Sequence, residues 1–225
     1  MREIERVLDT YTSRIIEHAT LSSILESLNY KRINDKIVQL KNKGILTPLK
    51  NGLYVYNSLY KNTLLSKEII ANILLGPSYV SLDFALCFHG LIPEGVQEIT
   101  SITTKRSKFF KTPYGVFSYT QIKKELFNIG LEIKSSKSGN FIIASKEKSL
   151  CDKVYFTKDI DLRSRKAMME FLEDDLRIDI DELENCDIKI FEEYAKVSKS
   201  KKVEALTKVI KVKIRVYYED NPLKL

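Results

Sequence analysis

Hydrophobic residues recur at helical spacing through the start of the chain. A first set lies at i, i+3, i+4, i+7 and i+11, which predicts one amphipathic helix, and its members are Ile4, Val7, Leu8, Tyr11 and Ile15. Thr20 is a suitable cap for a second, short helix, whose apolar face holds Ile24, Leu25 and Leu28. The stretch KRINDKIVQLKNKG predicts a third helix that Gly44 ends, with a buried face of Ile33, Ile37 and Leu40.

A hairpin signal follows the third helix. In ILTPLKNGLYVY the pair Asn51-Gly52 stands between two apolar runs, which favours a type I′ turn with positive φ at both central residues. Three short helices followed by a hairpin is the order of a winged helix-turn-helix, in which the third helix enters the major groove and the hairpin lies along the DNA. We therefore expect residues 1–62 to form a DNA-binding domain of this kind.

The candidate DNA contacts are polar residues at the start of the third helix and at the hairpin turn. Lysine, arginine and asparagine side chains reach base edges or phosphates. The candidates are Tyr30, Lys31, Arg32, Asn34, Asp35, Lys36, Lys50 and Asn51. The same pattern fits a small helical bundle, or a winged helix that binds protein rather than DNA.

Beyond residue 62, the pattern of hydrophobic and polar residues predicts both helices and strands. Helices are expected after the caps Ser66 and Ser81, strands between about residues 78 and 144, and helices again from Ser145 to about residue 215. The strand-like runs are VQEITSITT, GVFSYTQI, GLEIKSS and NFIIAS. The whole chain is therefore predicted to be α+β, with a mixed α/β domain over residues 63–225 that ends in a helical tail.

A basic and aromatic stretch, KRSKFFKTPYG, lies between two of these strands. Cations that hold phosphates and rings that stack on bases occur together in nucleic-acid surfaces, so a second basic surface is possible, made of Lys105, Arg106, Lys108 and Lys111. A strand pair with buried aromatic rings and solvated lysines explains the same letters.

Composition narrows the class of protein. The 225 residues carry a formal net charge of +7 and a pI of about 9.1, which favours a polyanionic partner over an acidic one, although a lysine-rich soluble protein has the same balance. The three cysteines are far apart, so neither a disulfide framework nor a zinc knuckle is expected, and a reduced, cytoplasmic protein fits. The N-terminus lacks the apolar segment of a signal peptide. The apolar runs are too short to cross a membrane.

The stretch YVSLDFALCFHGLIPE contains the letters of an active site, among them Asp83, Cys87 and His89. Its spacing instead predicts a capped helix whose apolar face is buried, with Cys87 as a small hydrophobe. We find no Cys–His or Ser–His arrangement, and we expect no catalytic residue, metal site or cofactor. The alternative is a metal-dependent nuclease built on Glu132-Ile133-Lys134 with Asp83 or Glu98.

Three stretches in order carry a resemblance to a known family. They are SYVSLDFALCFHGLIPE, VQEITSITTKRSKFFKTPYGVFSYTQI and FIIASKEKSLCDKVYF. Together they resemble the AbiEi antitoxins of bacterial type IV toxin–antitoxin and abortive-infection systems, over most of residues 5 to 157. Lys146 stands where that family often has proline, and Cys151 and Lys153 replace common aliphatic residues.

The resemblance implies a non-enzymatic, DNA-binding antitoxin. Its winged helix would bind inverted repeats in the promoter of its own operon and repress it, and its second domain would counteract a nucleotidyltransferase-like toxin, with or without binding it directly. A transcription factor whose second domain senses a ligand is the alternative, and an adjacent nucleotidyltransferase gene would favour the antitoxin.

Overall fold

The chain forms an α+β protein with two β-sheets, as its sequence predicts. A computed structural model describes residues 3–11, 14–58 and 65–220, with the side chains of the last helix described as far as residue 214. The helices are α1 (Glu3–Asp9), α2 (His18–Ser27), α3 (Ile33–Asn42), α4 (Lys67–Leu74), α5 (Leu82–Phe88), α6 (Lys124–Phe127), α7 (Lys146–Phe156), α8 (Arg165–Glu170), α9 (Ile188–Ser198) and α10 (Lys201–Asp220). The strands are β1 (Ile15–Glu17), β2 (Leu46–Lys50), β3 (Leu53–Tyr56), β4 (Ser78–Val80), β5 (Ile99–Thr103), β6 (Lys108–Thr112), β7 (Gly115–Gln121), β8 (Leu131–Ser136) and β9 (Gly139–Ala144).

The first sheet is antiparallel and has the strand order β1-β3-β2. Helices α1, α2 and α3 pack on one of its faces around Leu21, Leu25 and Leu40. The prediction of a single helix as far as Ile15 is wrong, because α1 ends at Asp9 and Ile15 begins β1. Ile15 and Ile16 face opposite sides of the sheet and both are buried, which is the alternation of a strand covered on two sides.

The hairpin between β2 and β3 forms where it was predicted, but with a different turn. Gly52 has a φ of +77°, whereas Asn51 is not among the residues with positive φ. A type I′ turn needs positive φ at both positions, so that prediction is wrong. A register shift between Pro48 and Lys50 accompanies the turn, and such an irregularity lets the strands meet without the I′ geometry.

The second sheet has six strands in the order β6-β7-β5-β4-β9-β8. Strands β4 and β9, and strands β5 and β7, run parallel, and the other pairs are antiparallel. Ser66 caps α4 as expected, since its hydroxyl accepts from the amide of Ile69. Helix α7 begins after Ser145, where a helix was predicted to start, and the Ser145 hydroxyl caps it by accepting from the amide of Lys148. Ser81 precedes α5 but its hydroxyl does not cap it.

One hydrophobic core joins the two sheets. The face of the first sheet away from its helices contributes Leu49, Leu53 and Val55, and these residues pack in one cluster with Ile70 and Phe117 of the second region. The boundary predicted near residue 62 lies outside the described residues. Each region has a hydrophobic core of its own on the far side of its sheet, and this third, shared cluster lies between them.

The remaining helices cover the other face of the six-stranded sheet. Helices α7, α9 and α10 pack together there around Leu150, Phe191 and Leu206. Lys211 of α10 and Glu192 of α9 form an ion pair of 2.6 Å at the rim of this layer. Among the described residues, no helix is both long enough and apolar enough to cross a membrane.

Candidate nucleic-acid interface

Helix α3 buries one face and presents the other to solvent. Ile37 and Leu40 pack against α1, α2 and the first sheet, whereas Asn34, Asp35 and Val38 are exposed. The buried residues fix the helix on the protein, and the exposed ones remain free to contact a ligand. This is the arrangement that the spacing of the sequence predicts.

The side chains at the start of α3 are ordered by contacts with one another. Arg32 Nη2 lies 2.5 Å from Asp35 Oδ2 in an ion pair between exposed side chains. Lys36 Nζ lies 4.4 Å from the centre of the Tyr30 ring, which is a cation–π contact. Lys31 beside them is exposed. The structure therefore brings the predicted contact residues of this helix into one small, mostly basic area.

A groove runs between α3 and the hairpin. It is lined by Asn34, Val38 and Lys41 from the helix and by Asn51 and Gly52 from the turn, and His18 and Tyr54 complete its floor. Of these residues, only Asn34 and Asn51 were among the predicted contacts, and Lys41 is the charged residue that the prediction missed. The signal was present, because positions 34, 38 and 41 are spaced i, i+4 and i+7 and so share one face of a helix.

Lys50 has a more internal place than a free hairpin lysine. Its Nζ donates a hydrogen bond of 2.7 Å to the carbonyl of Leu74, close to the end of α4. Partial burial lowers the pKa of Lys50, and the nearby positive charges of Lys108 and Lys105 lower it further. The ammonium group therefore ties the hairpin to the second region, and it lies within electrostatic reach of the second basic stretch.

The second basic stretch forms the edge strand β6 and the turn before it. Lys105, Arg106, Lys108 and Lys111 are all exposed. Strand β6 lies against β2 of the first sheet. The hydroxyl of Tyr114, just after β6, donates to Asn57 Oδ1 just after β3 at 3.2 Å. The four predicted cations are thus beside the hairpin rather than on a distant surface.

The aromatic residues of this stretch divide between two roles. Phe110 packs edge-on against Tyr119 at 5.7 Å between ring centres, and Tyr114 packs against the core shared by the two sheets. Phe109 points away from that core and is 63% exposed. Only Phe109 is therefore available to stack on a base.

The residues that resembled an active site are packed as a helix end. His89 lies at the C-terminus of α5, with Nε2 2.8 Å from the carbonyl oxygen of Ala144. Cys87 is partly buried against the core beneath the C-terminal helices. Neither side chain is placed to activate a nucleophile, because the histidine nitrogen that faces the protein is bonded to a backbone carbonyl.

The acidic residues of the nuclease alternative do not converge. Glu132 pairs with Lys134 at 2.6 Å on β8. Asp83 instead pairs with Lys153 at 2.6 Å and lines, with Glu98, a groove to which Glu132 does not contribute. Within the described part of the chain, no group of three or more histidine, cysteine or acidic residues is arranged to hold a metal ion.

A buried polar cluster in the second region was not predicted. The carboxylate of Asp152 in α7 accepts hydrogen bonds from the hydroxyls of Tyr79 at 3.1 Å, Ser81 at 2.7 Å and Tyr194 at 2.7 Å. Lys148 Nζ lies 3.8 Å from the same carboxylate, and both of these charged side chains are fully buried. The partners are 42 to 73 residues apart from Asp152 in sequence, so only the i, i+4 spacing of the lysine and the aspartate pointed to it.

The cluster also shifts the pKa of its members. Burial lowers the pKa of Lys148, against the opposing effect of Asp152, and the ammonium donates a 2.8 Å hydrogen bond to the carbonyl of Leu126. Burial, and then the charge of Asp152, raise the pKa of Tyr79 and of Tyr194 well above the ordinary tyrosine value. The rings of these two tyrosines lie 4.7 and 5.1 Å from the ammonium group, so Lys148 is stabilised by ring faces as well as by oxygen atoms.

Comparison with known proteins gives a likeness of fold. No protein-family model matches the chain, and no curated protein sequence matches it. Among solved structures, the crystal structure of the RV2827C protein from Mycobacterium tuberculosis is similar, with a TM-score of 0.50 and 12% sequence identity, over 93% of this chain and 80% of that one. At this identity the likeness concerns the fold of the two chains and nothing of their activity.

Proposed function

We propose that this protein is a DNA-binding antitoxin and autorepressor of a type IV toxin–antitoxin operon. Its first 58 residues would act as a winged helix-turn-helix. The observation that carries the proposal is the order helix, strand, helix, helix, strand, strand, with the three-stranded sheet ordered β1-β3-β2 and a basic, solvent-facing α3. In a winged helix this third helix enters the major groove.

The roles of the α3 residues follow from their chemistry. Arg32 and Asn34 are exposed at the N-terminal end of the helix, and in helix-turn-helix proteins this end of the recognition helix reaches base edges. Arginine pairs with guanine and asparagine with adenine through two hydrogen bonds each. In the free protein the Arg32 guanidinium is paired with Asp35. On binding DNA, Arg32 would leave Asp35 and form hydrogen bonds with a base.

The cations of β6 extend this surface. Strand β6 contacts β2, and Lys105 and Lys108 are close enough to Lys50 to lower its pKa, so these lysines would bind phosphates of a duplex that lies along the hairpin. Phosphate contacts of this kind fix the position of the protein on DNA without reading sequence. Phe109, which is exposed beside Lys108 on the same strand, would be available to stack on a base there.

The antitoxin half of the proposal rests on the three ordered stretches. Tyr79 and Ser81 belong to the first stretch and Asp152 to the third, and all three meet in the buried polar cluster. The first and third stretches therefore form one buried site in the second region, so they are structurally linked rather than unrelated local matches.

The DNA-binding half is tested with the full chain, the promoter of its own operon and a scrambled duplex, at several salt concentrations. Arg32→Ala or Asn34→Ala should weaken operator binding by about 1–3 kcal/mol and relax the preference at one position. Lys105→Ala/Lys108→Ala should weaken binding to every sequence and reduce the salt slope by about two units. Lys166→Ala, at an exposed lysine of α8, is the control and should bind like the wild type.

Lys50→Ala is a less clean test of a phosphate contact. Its ammonium donates to the carbonyl of Leu74, so the substitution would also loosen the hairpin. If the wild type does not prefer operator over scrambled DNA, and the α3 variants bind as it does, the repressor assignment is wrong.

The antitoxin half is tested by expressing this protein together with a nucleotidyltransferase-like protein encoded beside it. Growth arrest by that neighbour alone, and its relief by this chain, is the expected result. Arg32→Ala should still relieve the arrest, because the proposal assigns antitoxicity to the second region. If the neighbouring protein is not toxic, or if this chain does not reduce its toxicity, the antitoxin proposal is wrong. The alternative function, a transcription factor whose second region senses a ligand, is then favoured.

A further inference from the structure

Among the residues that the structure describes, none pairs with the outer side of strand β8, which is therefore an open edge of the six-stranded sheet. Its hydrogen-bonded neighbour is β9, and it is the last strand in the sheet order. The opposite edge, β6, is covered by contact with β2. An open edge presents unpaired backbone groups to any other strand that can lie beside it.

The hydrogen bonds around β9 show which groups of β8 face outward. Asn72 holds both backbone groups of Ile142, accepting from its amide at 2.6 Å and donating to its carbonyl at 3.2 Å. Antiparallel partners exchange both of their hydrogen bonds or neither, and Ile142 is the partner of Ile133. The amide and carbonyl of Ile133 therefore point away from β9, out of the sheet edge.

A second bond confirms this register. The amide of Ser145 donates to the carbonyl of Gly130 at 2.8 Å, so the bonded pairs in this ladder involve the even-numbered residues of β8. The odd-numbered residues consequently direct their backbone groups away from β9, toward the outer side of the strand.

The same edge carries exposed apolar surface. Ile133 is 72% exposed and its cross-strand partner Ile142 is 40% exposed. Natural edge strands are commonly protected by charge, proline or a bulge, and the two charges of β8, Glu132 and Lys134, pair with each other at 2.6 Å and so leave the strand without a net charge. Strand β8, LEIKSS, has no proline, and its pairing with β9 continues without a register shift.

The charges that flank Ile133 identify the partner. Glu132 precedes it and Lys134 follows it. If two copies of this strand lie antiparallel with Ile133 opposite Ile133, each Glu132 faces a Lys134 of the other copy. The strand is thus complementary to itself in charge as well as in hydrogen bonding.

We propose that a second copy of this protein pairs with the first along β8, antiparallel and centred on Ile133, so that the two six-stranded sheets become one. Backbone bonds of Ile133 would be exchanged between copies, and Ile133 and Ile142 of each copy would form one apolar strip. This inference is independent of DNA binding and of antitoxin activity.

Charge reversal tests the pairing. By analytical ultracentrifugation over a concentration series, the wild type should dimerise reversibly, and Glu132→Lys should raise the Kd on the order of tenfold because two like-charged pairs then face each other. Glu132→Lys/Lys134→Glu should restore the wild-type Kd. A monomer at every concentration, or a dimer equally strong in all three proteins, overturns the proposal.

Thermal unfolding of the same proteins separates association from folding. Both side chains are partly exposed, so all three proteins should remain folded, with similar unfolding transitions when monomeric.

Cysteine crosslinking tests the register. Ile133→Cys should form a disulfide-linked dimer under mild oxidation, because residues directly opposite in a strand pair are within disulfide reach. Ser135→Cys is the matched control: in this register the two Cys positions would be four residues out of line, about 13 Å apart, and should not crosslink. Equal crosslinking of both variants, or of neither, contradicts pairing centred on Ile133.

Discussion

Two ion pairs in this protein join a basic and an acidic residue of one helical segment, and they could hardly differ more in setting. Arg32 and Asp35 at the start of α3 are 2.5 Å apart, and their side chains are 85% and 53% exposed. Lys148 and Asp152 in α7 are 3.8 Å apart, and both side chains are fully buried. Breaking the shorter pair should cost less, since exposed ion pairs contribute about 0–1 kcal/mol, whereas removing one partner of a buried pair costs about 3–5 kcal/mol.

The difference teaches that solvent decides the role of each pair. Water can replace either partner of the exposed pair, so Arg32 can leave Asp35 for another ligand at little cost. Water does not reach the buried pair, and removing one partner leaves an uncompensated charge in the core. One setting suits recognition, and the other suits a fixed architecture.

Breaking the buried pair should have the largest effect. Asp152→Ala leaves the Lys148 ammonium without a carboxylate and three hydroxyls without their acceptor, so the free energy of unfolding should fall by about 3–5 kcal/mol. Urea unfolding followed by circular dichroism measures this. Asp35→Ala in α3 is the matched control, and a loss for Asp152→Ala no larger than for the control would contradict the comparison.

Removing one hydrogen bond to the buried carboxylate should have an intermediate effect. Tyr194→Phe deletes the hydroxyl that lies 2.7 Å from Asp152, and bonds to charged groups contribute about 1.5–3 kcal/mol. Tyr155→Phe, in a ring that packs 6.0 Å from the Tyr194 ring, should cost less. Both substitutions keep the ring and remove only a hydroxyl, so equal losses in urea unfolding would show that the bond from Tyr194 to Asp152 adds nothing to stability.

Alkaline pH should lower the free energy of unfolding through the tyrosines of the buried polar cluster around Asp152. Tyr79 and Tyr194 have a raised pKa in the folded state, so above about pH 10 the unfolded chain releases protons that the folded chain keeps. Each such tyrosine then lowers the free energy of unfolding by about 1.4 kcal/mol per pH unit. Lys148 acts in the opposite direction, but only between its lowered pKa and the ordinary lysine value.

The test is the pH dependence of urea unfolding from about pH 10 upward. Tyr194→Phe should make the decline shallower by about 1.4 kcal/mol per pH unit. An unchanged slope would mean that Tyr194 ionises as readily in the folded protein as in the unfolded one.

The exposed pair should give the smallest change in stability and the sharpest effect on recognition. Arg32→Ala should alter the free energy of unfolding by less than about 1 kcal/mol, while weakening binding to operator DNA as described above. Arg32→Lys keeps the charge but not the two-pronged geometry, so it should restore only the sequence-independent part of binding. A large loss of stability in Arg32→Ala would place this residue with the structural pair instead.

The sequence predicted those parts of the molecule whose signal is local. Spacing and single residue types predict the buried face of α3, the cap Ser66, the start of α7 at Ser145 and the position of the hairpin. The packed state of Cys87 and His89 was expected for the same reason. The presence of both helices and strands was equally clear.

What depends on distant partners was not predicted. Strand β1 has only three residues, which are too few to show the alternation of a strand, so the helical spacing of Ile15 with the residues before it predicted a helix. Pairing with β3 instead makes this segment a strand. Ser81 was predicted to cap a helix, but its hydroxyl donates a hydrogen bond to Asp152, which is far along the chain. Lys50 looked like a free cation at a turn, and only the fold brings the carbonyl of Leu74 beside it.

The core shared by the two sheets has a practical consequence for engineering. If the chain were cut after residue 58, the cut would expose Leu49, Leu53 and Val55 to solvent, because Ile70 and Phe117 cover them. The first region is therefore a poor module for transplantation into a chimeric regulator. A chimera that uses α3 for DNA recognition must therefore also include the strands of the second region that pack against the first sheet.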